Sequence, residues 1–202
     1  MISEHDNHRI AEAVRQAEMH TSGEIVVVVT EQASAYRSLP IVLGLLIALA
    51  VPWPLIWITR LSAEWVFLTQ LIAAPLAVLA LSWPGRRHRL VPGFVKRRRA
   101  EDAALREFAS RGLTHTRERT GVLIYVAAAE HHAHVIADIG IAARVDEGVW
   151  RETVEALVED IRAGRAGDGL VAAVERVGAI LAREAPIGTG DRDELPNRVF
   201  VV

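Results

Sequence analysis

The chain has 202 residues, which suits one domain of ordinary size or a smaller domain with an inserted segment. Its hydrophobic content of 51% and mean hydropathy of +0.22 are high for a soluble protein, and the excess is concentrated between Leu39 and Trp83. A net charge of −2 gives no overall attraction to nucleic acid. The absence of cysteine excludes disulfides, thiolate nucleophiles and Cys-ligated zinc.

The first 38 residues predict a helix followed by a buried strand, as the first part of an α/β domain. Apolar residues recur at helical spacing between positions 3 and 20, and residues 21–23 are expected to end this helix. Four consecutive valines within residues 24–30 predict a strand that is covered on both faces. The chain opens on acidic and polar residues, so no secretory signal is expected there.

Residues 39–83 predict a hairpin of two transmembrane helices, 39–59 and 66–83. Neither span contains a charged residue, and each is long enough to cross a hydrocarbon core of about 30 Å. The alternative is a pair of buried core helices, but two such segments would overfill the core of so small a domain. Three tryptophans lie near the span ends, as in the aromatic belts of membrane proteins: Trp57, Trp65 and Trp83.

The charges that flank the spans predict their orientation. The segment 84–99 contains seven Lys and Arg residues, whereas the link 60–65 has one Arg and one Glu. By the positive-inside rule, residues 84–99 form a basic cytoplasmic juxtamembrane segment. Two spans return the chain to its starting side, so we expect a multi-pass protein of the cell inner membrane with the soluble domain and both termini cytoplasmic. The lipid bilayer is thus one partner, and topology accounts for the basic charges without a nucleic-acid partner.

Residues 100–185 predict the remainder of the α/β domain, and residues 186–202 a turn-rich C-terminal tail. The patterns predict helices at 96–111 and 145–162 and from 168 onward, strands at 121–127 and 134–138, and an edge strand at 198–202.

The connections between the predicted strands indicate a layered α/β domain with a mixed sheet. A long crossover joins strands 24–30 and 121–127, which favours parallel pairing, and a short turn joins 121–127 to 134–138, which favours antiparallel pairing. If the first two strands share one sheet, the insertion must cross the bilayer an even number of times. Hydropathy independently predicts two crossings.

Short motifs in a fixed order resemble the TPM domain family. They are TSGEI at 21–25, RTGVLI at 119–124, IADIGI at 136–141, Trp150, RAG at 162–164, DGL at 168–170 and DELPN at 193–197. The resemblance implies a three-layer α/β/α sandwich with a mixed β-sheet, interrupted here by the two-helix transmembrane hairpin. It also implies relatives described as acid phosphatases, calcium binders and accessory factors of membrane complexes.

Three acidic residues are candidate metal ligands. Asp138 ends a predicted strand, Asp146 follows shortly after, and Glu24 begins the first strand. Carboxylate oxygens at such positions could bind Ca²⁺ or Mg²⁺, since ligand sites often lie at strand ends in α/β sheets. Asp138 could instead cap the turn that follows it, and Glu24 could be a solvated residue at a strand start.

Two polar segments offer weaker candidates. His132 and His134 could share one face of a strand and bind a metal, but a solvated turn over residues 131–134 is the favoured interpretation. In the sequence GLTHTRERTG, Thr114, His115 and Thr116 could bind a phosphate together with Arg117 and Arg119, against the alternative of a plain loop.

Two functions of different classes follow. The first is a membrane-anchored interaction or accessory module for a membrane protein or complex, favoured because no dense acidic or nucleophilic cluster stands out. The second is a divalent-metal-dependent phosphatase of the acid-phosphatase type, in which Asp138, Asp146 and Glu24 converge on one ion. A channel or transporter is disfavoured, because the spans contain no ionisable residue and Gln70 is their only strongly polar one.

Overall fold

A computed structural model of the chain describes residues 2–32, 38–83, 91–188 and 199–201. Its α-helices are α1 (Glu4–Glu18), α2 (Ser38–Ala50), α3 (Pro52–Ile58), α4 (Ala63–Leu81), α5 (Gly93–Ser110), α6 (Ile139–Ala142), α7 (Glu147–Arg162) and α8 (Ala166–Glu184). A short 3₁₀ helix covers Leu113–His115, and the strands are β1 (Ile25–Thr30), β2 (Val122–Ala127), β3 (His132–Ala137) and β4 (Val199–Val201). The DELPN motif and the basic residues 86–89 lie outside the described residues.

The chain forms two compact units. One unit combines Met1–Ala33 with Arg97–Val202, and the other is the insertion Ser34–Lys96. The first unit contains the described strands, and the second contains the two apolar segments.

The first unit is built on a mixed four-stranded sheet in the order β3-β2-β1-β4. β1 pairs in parallel with both β2 and β4, and β2 pairs antiparallel with β3. The parallel β1–β2 pair and the antiparallel β2–β3 pair follow the prediction from connection lengths, and β4 is an edge strand as predicted. β1 and β2 therefore share one sheet although the whole second unit is inserted between them.

Helices cover both faces of this sheet, which makes the three-layer α/β/α sandwich. On one face, Ile25, Val27 and Val29 pack with buried residues of α1, α7 and α8. On the other face, Val26 and Val28 pack with the alanines and Phe108 of α5 and with the 3₁₀ helix. The valine run is buried at every position because alternate side chains point into two different cores.

The helix that precedes β1 has a clear start signal. The Ser3 hydroxyl accepts a hydrogen bond from the Asp6 N–H at 3.1 Å, and the Asp6 carboxylate accepts one from the Ser3 N–H at 3.2 Å. This reciprocal arrangement is a capping box, and it fixes the first turn of α1. Ile10 and Val14, one turn apart, are the residues that α1 buries.

The second unit is a helical hairpin whose apolar side chains mostly point outward. Its two apolar segments, Leu39–Ile58 and Ala63–Leu81, are long and apolar enough to cross a membrane. Pro40, Gly44 and Ala48 form the buried stripe of α2, and a Cβ on Gly44 would clash with the Val78 side chain of α4. The small residues therefore serve packing within the hairpin.

Several boundaries differ from the sequence prediction, and three of them have a clear structural description. The first predicted span, 39–59, is two helices that meet at Val51, because Pro52 lacks an N–H and is better placed at the start of α3. The second span begins at Ala63, three residues early, and ends at Leu81. β3 begins at His132 and not at position 134, because its pairing with β2 extends to His132 opposite Ala127.

Candidate functional site

Two of the predicted site residues, Glu24 and Asp138, lie at the end of the sheet where β1 and β2 begin (the amino-terminal edge). The Val122 N–H donates to the Glu24 carbonyl at 2.8 Å, and the Asp138 N–H donates to the Gly121 carbonyl at 2.8 Å. Glu24 and Asp138 thus flank the start of β2 on either side. Because β3 is antiparallel, its carboxyl end lies beside the amino ends of β1 and β2 and not beside their carboxyl ends.

Asp138 is the most enclosed acid at this edge, with a side chain only 3% exposed. Its Oδ2 and Oδ1 accept hydrogen bonds from Arg119 Nε at 2.6 Å and Nη2 at 3.0 Å, and Oδ1 also accepts one from the Ile139 N–H at 2.8 Å. The last bond makes Asp138 the N-cap of α6, as the capping alternative predicted. The Arg119 hydrogen bonds hold the pKa of Asp138 below its ordinary value, against the opposing effect of burial.

Arg119 reaches this position through an unusual backbone conformation. Its φ is 59°, in the left-handed region that a non-glycine residue seldom adopts, and its N–H donates to the Thr116 carbonyl at 3.1 Å. The Gly140 N–H donates to the Arg119 carbonyl at 3.0 Å. A Cβ on Gly140 would lie 2.5 Å from the carbonyl oxygens of Arg119 and Glu118, so only glycine fits at this contact.

The TSG segment before β1 joins the same cluster. The Thr120 hydroxyl donates to the Ser22 carbonyl at 3.1 Å, and the Thr21 hydroxyl donates to the Ala185 carbonyl at 2.5 Å. Thr21 also forms an isolated antiparallel bridge with Pro186. The ends of α1 and α8, the loop before β2 and the turn after β3 are therefore hydrogen-bonded to one another at this edge.

The three predicted acidic ligands have different surroundings. Glu24 is buried, whereas Asp146 is exposed and caps α7 by accepting a hydrogen bond from the Gly148 N–H at 2.7 Å. The Asp138 carboxylate already accepts three hydrogen bonds, two from Arg119 and one from the Ile139 N–H. Within the described parts of the chain, no three or more His, Asp or Glu side chains are grouped so that they could hold a metal ion.

The predicted phosphate loop is engaged in its own local contacts. The Thr116 hydroxyl donates to the Leu113 carbonyl at 3.4 Å, and the Thr114 hydroxyl lies 3.1 Å from His115 Nδ1. The Arg119 side chain, which was expected to help bind the phosphate, is instead paired with Asp138. The ion pair was missed from sequence. Arg-Thr-Gly precedes β2 and Asp138 follows its antiparallel neighbour, but only the register Val122–Ala137 of the folded sheet places the two residues side by side.

A groove of about 670 Å³ lies elsewhere on this unit, between α1 and α8. The two helices run parallel, since Gly167 approaches Asp6 and Gly178 approaches Ala17, and small residues at these contacts bring the backbones close. The lining of the groove combines the small apolar residues Ala13, Ala17, Val171, Gly178, Ala179 and Ala182 with the polar residues His8, Arg9, Glu12, Gln16, His20 and Glu175. It does not include the Arg119–Asp138 ion pair.

Comparison with known families identifies the domain to which the sheet and its helices belong. The family model of the TPM domain matches residues 90–180. The chain contains a TPM domain. The matched region holds α5, β2, β3, α7 and most of α8, and β1, which lies before it in sequence, completes the same sheet in register with β2.

The TPM fold is also seen in the comparison with solved structures. The chain is similar to the NMR structure of the BA42 protein from the psychrophilic bacterium Bizionia argentinensis, with a TM-score of 0.62 and 22% identity. The alignment covers 100% of this chain and 96% of that one. At this identity the similarity establishes the fold alone. No curated protein matches the chain.

Proposed function

We propose that the inserted hairpin anchors this TPM domain in a membrane and that the domain acts there as an interaction or accessory module for a membrane protein or complex. The exposure of the hairpin is the main support for the membrane anchor in this proposal. Only 11% of the most apolar window of Leu39–Ile58, and 6% of that of Ala63–Leu81, is buried. Core helices of soluble proteins bury most of such a window, whereas lipid would cover these side chains.

The charge distribution supports an orientation with the TPM domain in the cytoplasm, at the inner membrane. Arg97, Arg98 and Arg99 are exposed on the first half of α5, directly after the hairpin. The parallel pairing of β1 with β2 supports the same topology, because both strands belong to one sheet and the hairpin must return to the side from which it left. Basic residues at this position favour the cytoplasmic side and could contact anionic lipid headgroups.

The geometry of the candidate site supports an interaction role over metal-dependent chemistry. A carboxylate that is to bind Ca²⁺ or Mg²⁺ needs free lone pairs, and Asp138 would first have to release Arg119 and the N-terminus of α6. Asp146 is likewise engaged as a helix cap. The acid-phosphatase alternative therefore requires a rearrangement of this edge.

Two measurements on one preparation test the proposal. The chain is extracted from native membranes in mild detergent, and its mass is compared with that of the purified chain in the same micelle. A larger, defined species that dissociates to the purified chain's mass is expected. A species of the purified chain's mass from native membranes would contradict the interaction role.

Hydrolysis of a phosphate monoester that requires Ca²⁺ or Mg²⁺, and is lost in the Asp138→Asn variant, would instead establish the phosphatase.

A further inference from the structure

Two histidines on the edge strand β3 face the α5 side of the sheet. His132 pairs with Ala127 and His134 pairs with Tyr125 across the antiparallel β2–β3 ladder. Tyr125 and Ile136 pack in the core on the α5 side, and the alternation of a strand places His132 and His134 on that same face. They lie at the opposite end of β3 from Asp138.

The two rings are held close together. Their centroids are 6.3 Å apart, and the ring planes are inclined by only 18°. Both residues are half-buried, and the buried Nε2 of His132 makes no hydrogen bond to another part of the described chain. Buried polar atoms nearly always have a partner, so this nitrogen needs an explanation.

The surroundings favour the neutral form of both rings, which is the form that binds a metal. Burial is the main cause that lowers the pKa of His132 and of His134, and their mutual repulsion adds to it for His132. Other charged groups act on the pair from two sides: Arg97 and Glu101 on α5, and Glu130 in the β2–β3 turn. For His132, Arg97 lowers the pKa further, whereas the two carboxylates raise it.

We propose that His132 and His134 bind one divalent ion of a late first-row transition metal, namely Zn²⁺, Ni²⁺ or Cu²⁺. Imidazole nitrogen suits these ions, whereas Ca²⁺ and Mg²⁺ take oxygen ligands. One nitrogen of each ring would lie about 2.1 Å from the ion, which requires the two rings to turn towards each other. No third His, Asp or Glu joins them among the described residues, so water fills the other coordination positions.

Calorimetric titration of Zn²⁺ into the full chain in detergent at pH 7.5 tests the site. His132→Phe and His134→Phe each keep a planar aromatic ring and remove one ligand. Each should weaken binding at least about tenfold, because the chelate is lost. The matched control is the His5→Asn, His8→Asn double variant, which removes two exposed histidines of α1 and should bind as the native chain does. Unchanged affinity in both phenylalanine variants, or no binding by the native chain, would overturn the proposal.

A spectroscopic measurement keeps the test decisive if the phenylalanine variants do not fold. One equivalent of Cu²⁺ is added to the His5→Asn, His8→Asn variant, and the electron paramagnetic resonance spectrum is recorded. Hyperfine structure from two imidazole nitrogens is expected, and it should disappear when the pH is lowered far enough to protonate the rings. A spectrum with one nitrogen or none at pH 7.5 would exclude the two-histidine site.

Discussion

The Arg119 guanidinium donates two hydrogen bonds to the Asp138 carboxylate, at 2.6 and 3.0 Å, across 19 residues of sequence. The same carboxylate caps α6 through the Ile139 N–H. One buried side chain therefore joins the loop before β2 to the turn after β3. This arrangement makes the amino-terminal edge of the sheet a structural junction of the TPM domain.

Replacement of Asp138 should destabilise the TPM domain. Asp138→Ala removes both the helix cap and the partner of Arg119, and we expect the free energy of unfolding to fall by about 2–4 kcal/mol. Asp138→Asn retains an acceptor for the cap and should cost about half as much. Denaturant unfolding followed by Trp150 fluorescence measures this, in a background where the four hairpin tryptophans are phenylalanine.

The control for that series is Asp160→Ala, which breaks the more exposed ion pair between Asp160 and Arg165. Its cost should be no more than about 1 kcal/mol. If Asp160→Ala and Asp138→Ala destabilise the domain equally, the burial of the Asp138 carboxylate in its ion pair has no special role.

The Asp138 carboxylate should also make stability depend on acid pH. Its pKa in the folded chain lies below the ordinary value of 3.8, chiefly because Arg119 hydrogen-bonds the charged form. The resulting stabilisation is present above the unfolded pKa and is lost as the pH falls through the folded pKa. The free energy of unfolding, measured at a series of pH values from 7 down to 2, should therefore fall more steeply for the native chain than for Asp138→Asn. Parallel curves for the two proteins would contradict this assignment.

Gly140→Ala should disturb the same junction by steric contact alone. The new Cβ would lie 2.5 Å from two backbone carbonyl oxygens, which cannot move as a flexible side chain can. We expect a loss of about 1–3 kcal/mol in the same unfolding assay. Gly93→Ala is the matched control, because a Cβ there meets nothing within 4 Å. Equal stability of the two variants would show that the edge tolerates the extra atom.

Much of the fold follows from local patterns in the sequence. The valines of β1 are buried on both faces, as the lack of alternation in their run predicted. The parallel β1–β2 pairing and the antiparallel β2–β3 pairing follow from the connection lengths. The β3 start was missed because His131 and His132 look like a polar turn. His131 does end that turn, with a φ of 48°, but pairing with Ala127 draws His132 into the strand.

The Arg119–Asp138 ion pair could not be derived in the same way. It depends on a left-handed backbone at Arg119, a conformation that the sequence offers no glycine or asparagine to signal. It also depends on the register between two strands, which is a tertiary property. Asp138 was therefore considered as a metal ligand or a turn cap, but its guanidinium partner was not identified.

The packing of the hairpin gives a separate prediction. Gly44→Val would place a side chain against Val78, so α2 and α4 could not keep their close contact. We expect the thermal unfolding of the hairpin in detergent to occur at lower temperature by an amount equivalent to about 1–3 kcal/mol. Ala80→Val makes a similar enlargement at an exposed position of α4 and should leave the transition unchanged. An unchanged transition in Gly44→Val would contradict the packing.

The most direct test of the account is the topology of the hairpin, and the absence of native cysteine makes it simple. Ser62→Cys places a thiol in the link between the spans, and Ser110→Cys places one at the end of α5; both serines are exposed. Each variant is treated with a membrane-impermeant maleimide in right-side-out vesicles, before and after disruption. We expect Ser62→Cys to be labelled in intact vesicles and Ser110→Cys only after disruption. Equal labelling of both variants in intact vesicles, or recovery of the chain in the soluble fraction, would contradict the membrane-anchored cytoplasmic TPM domain.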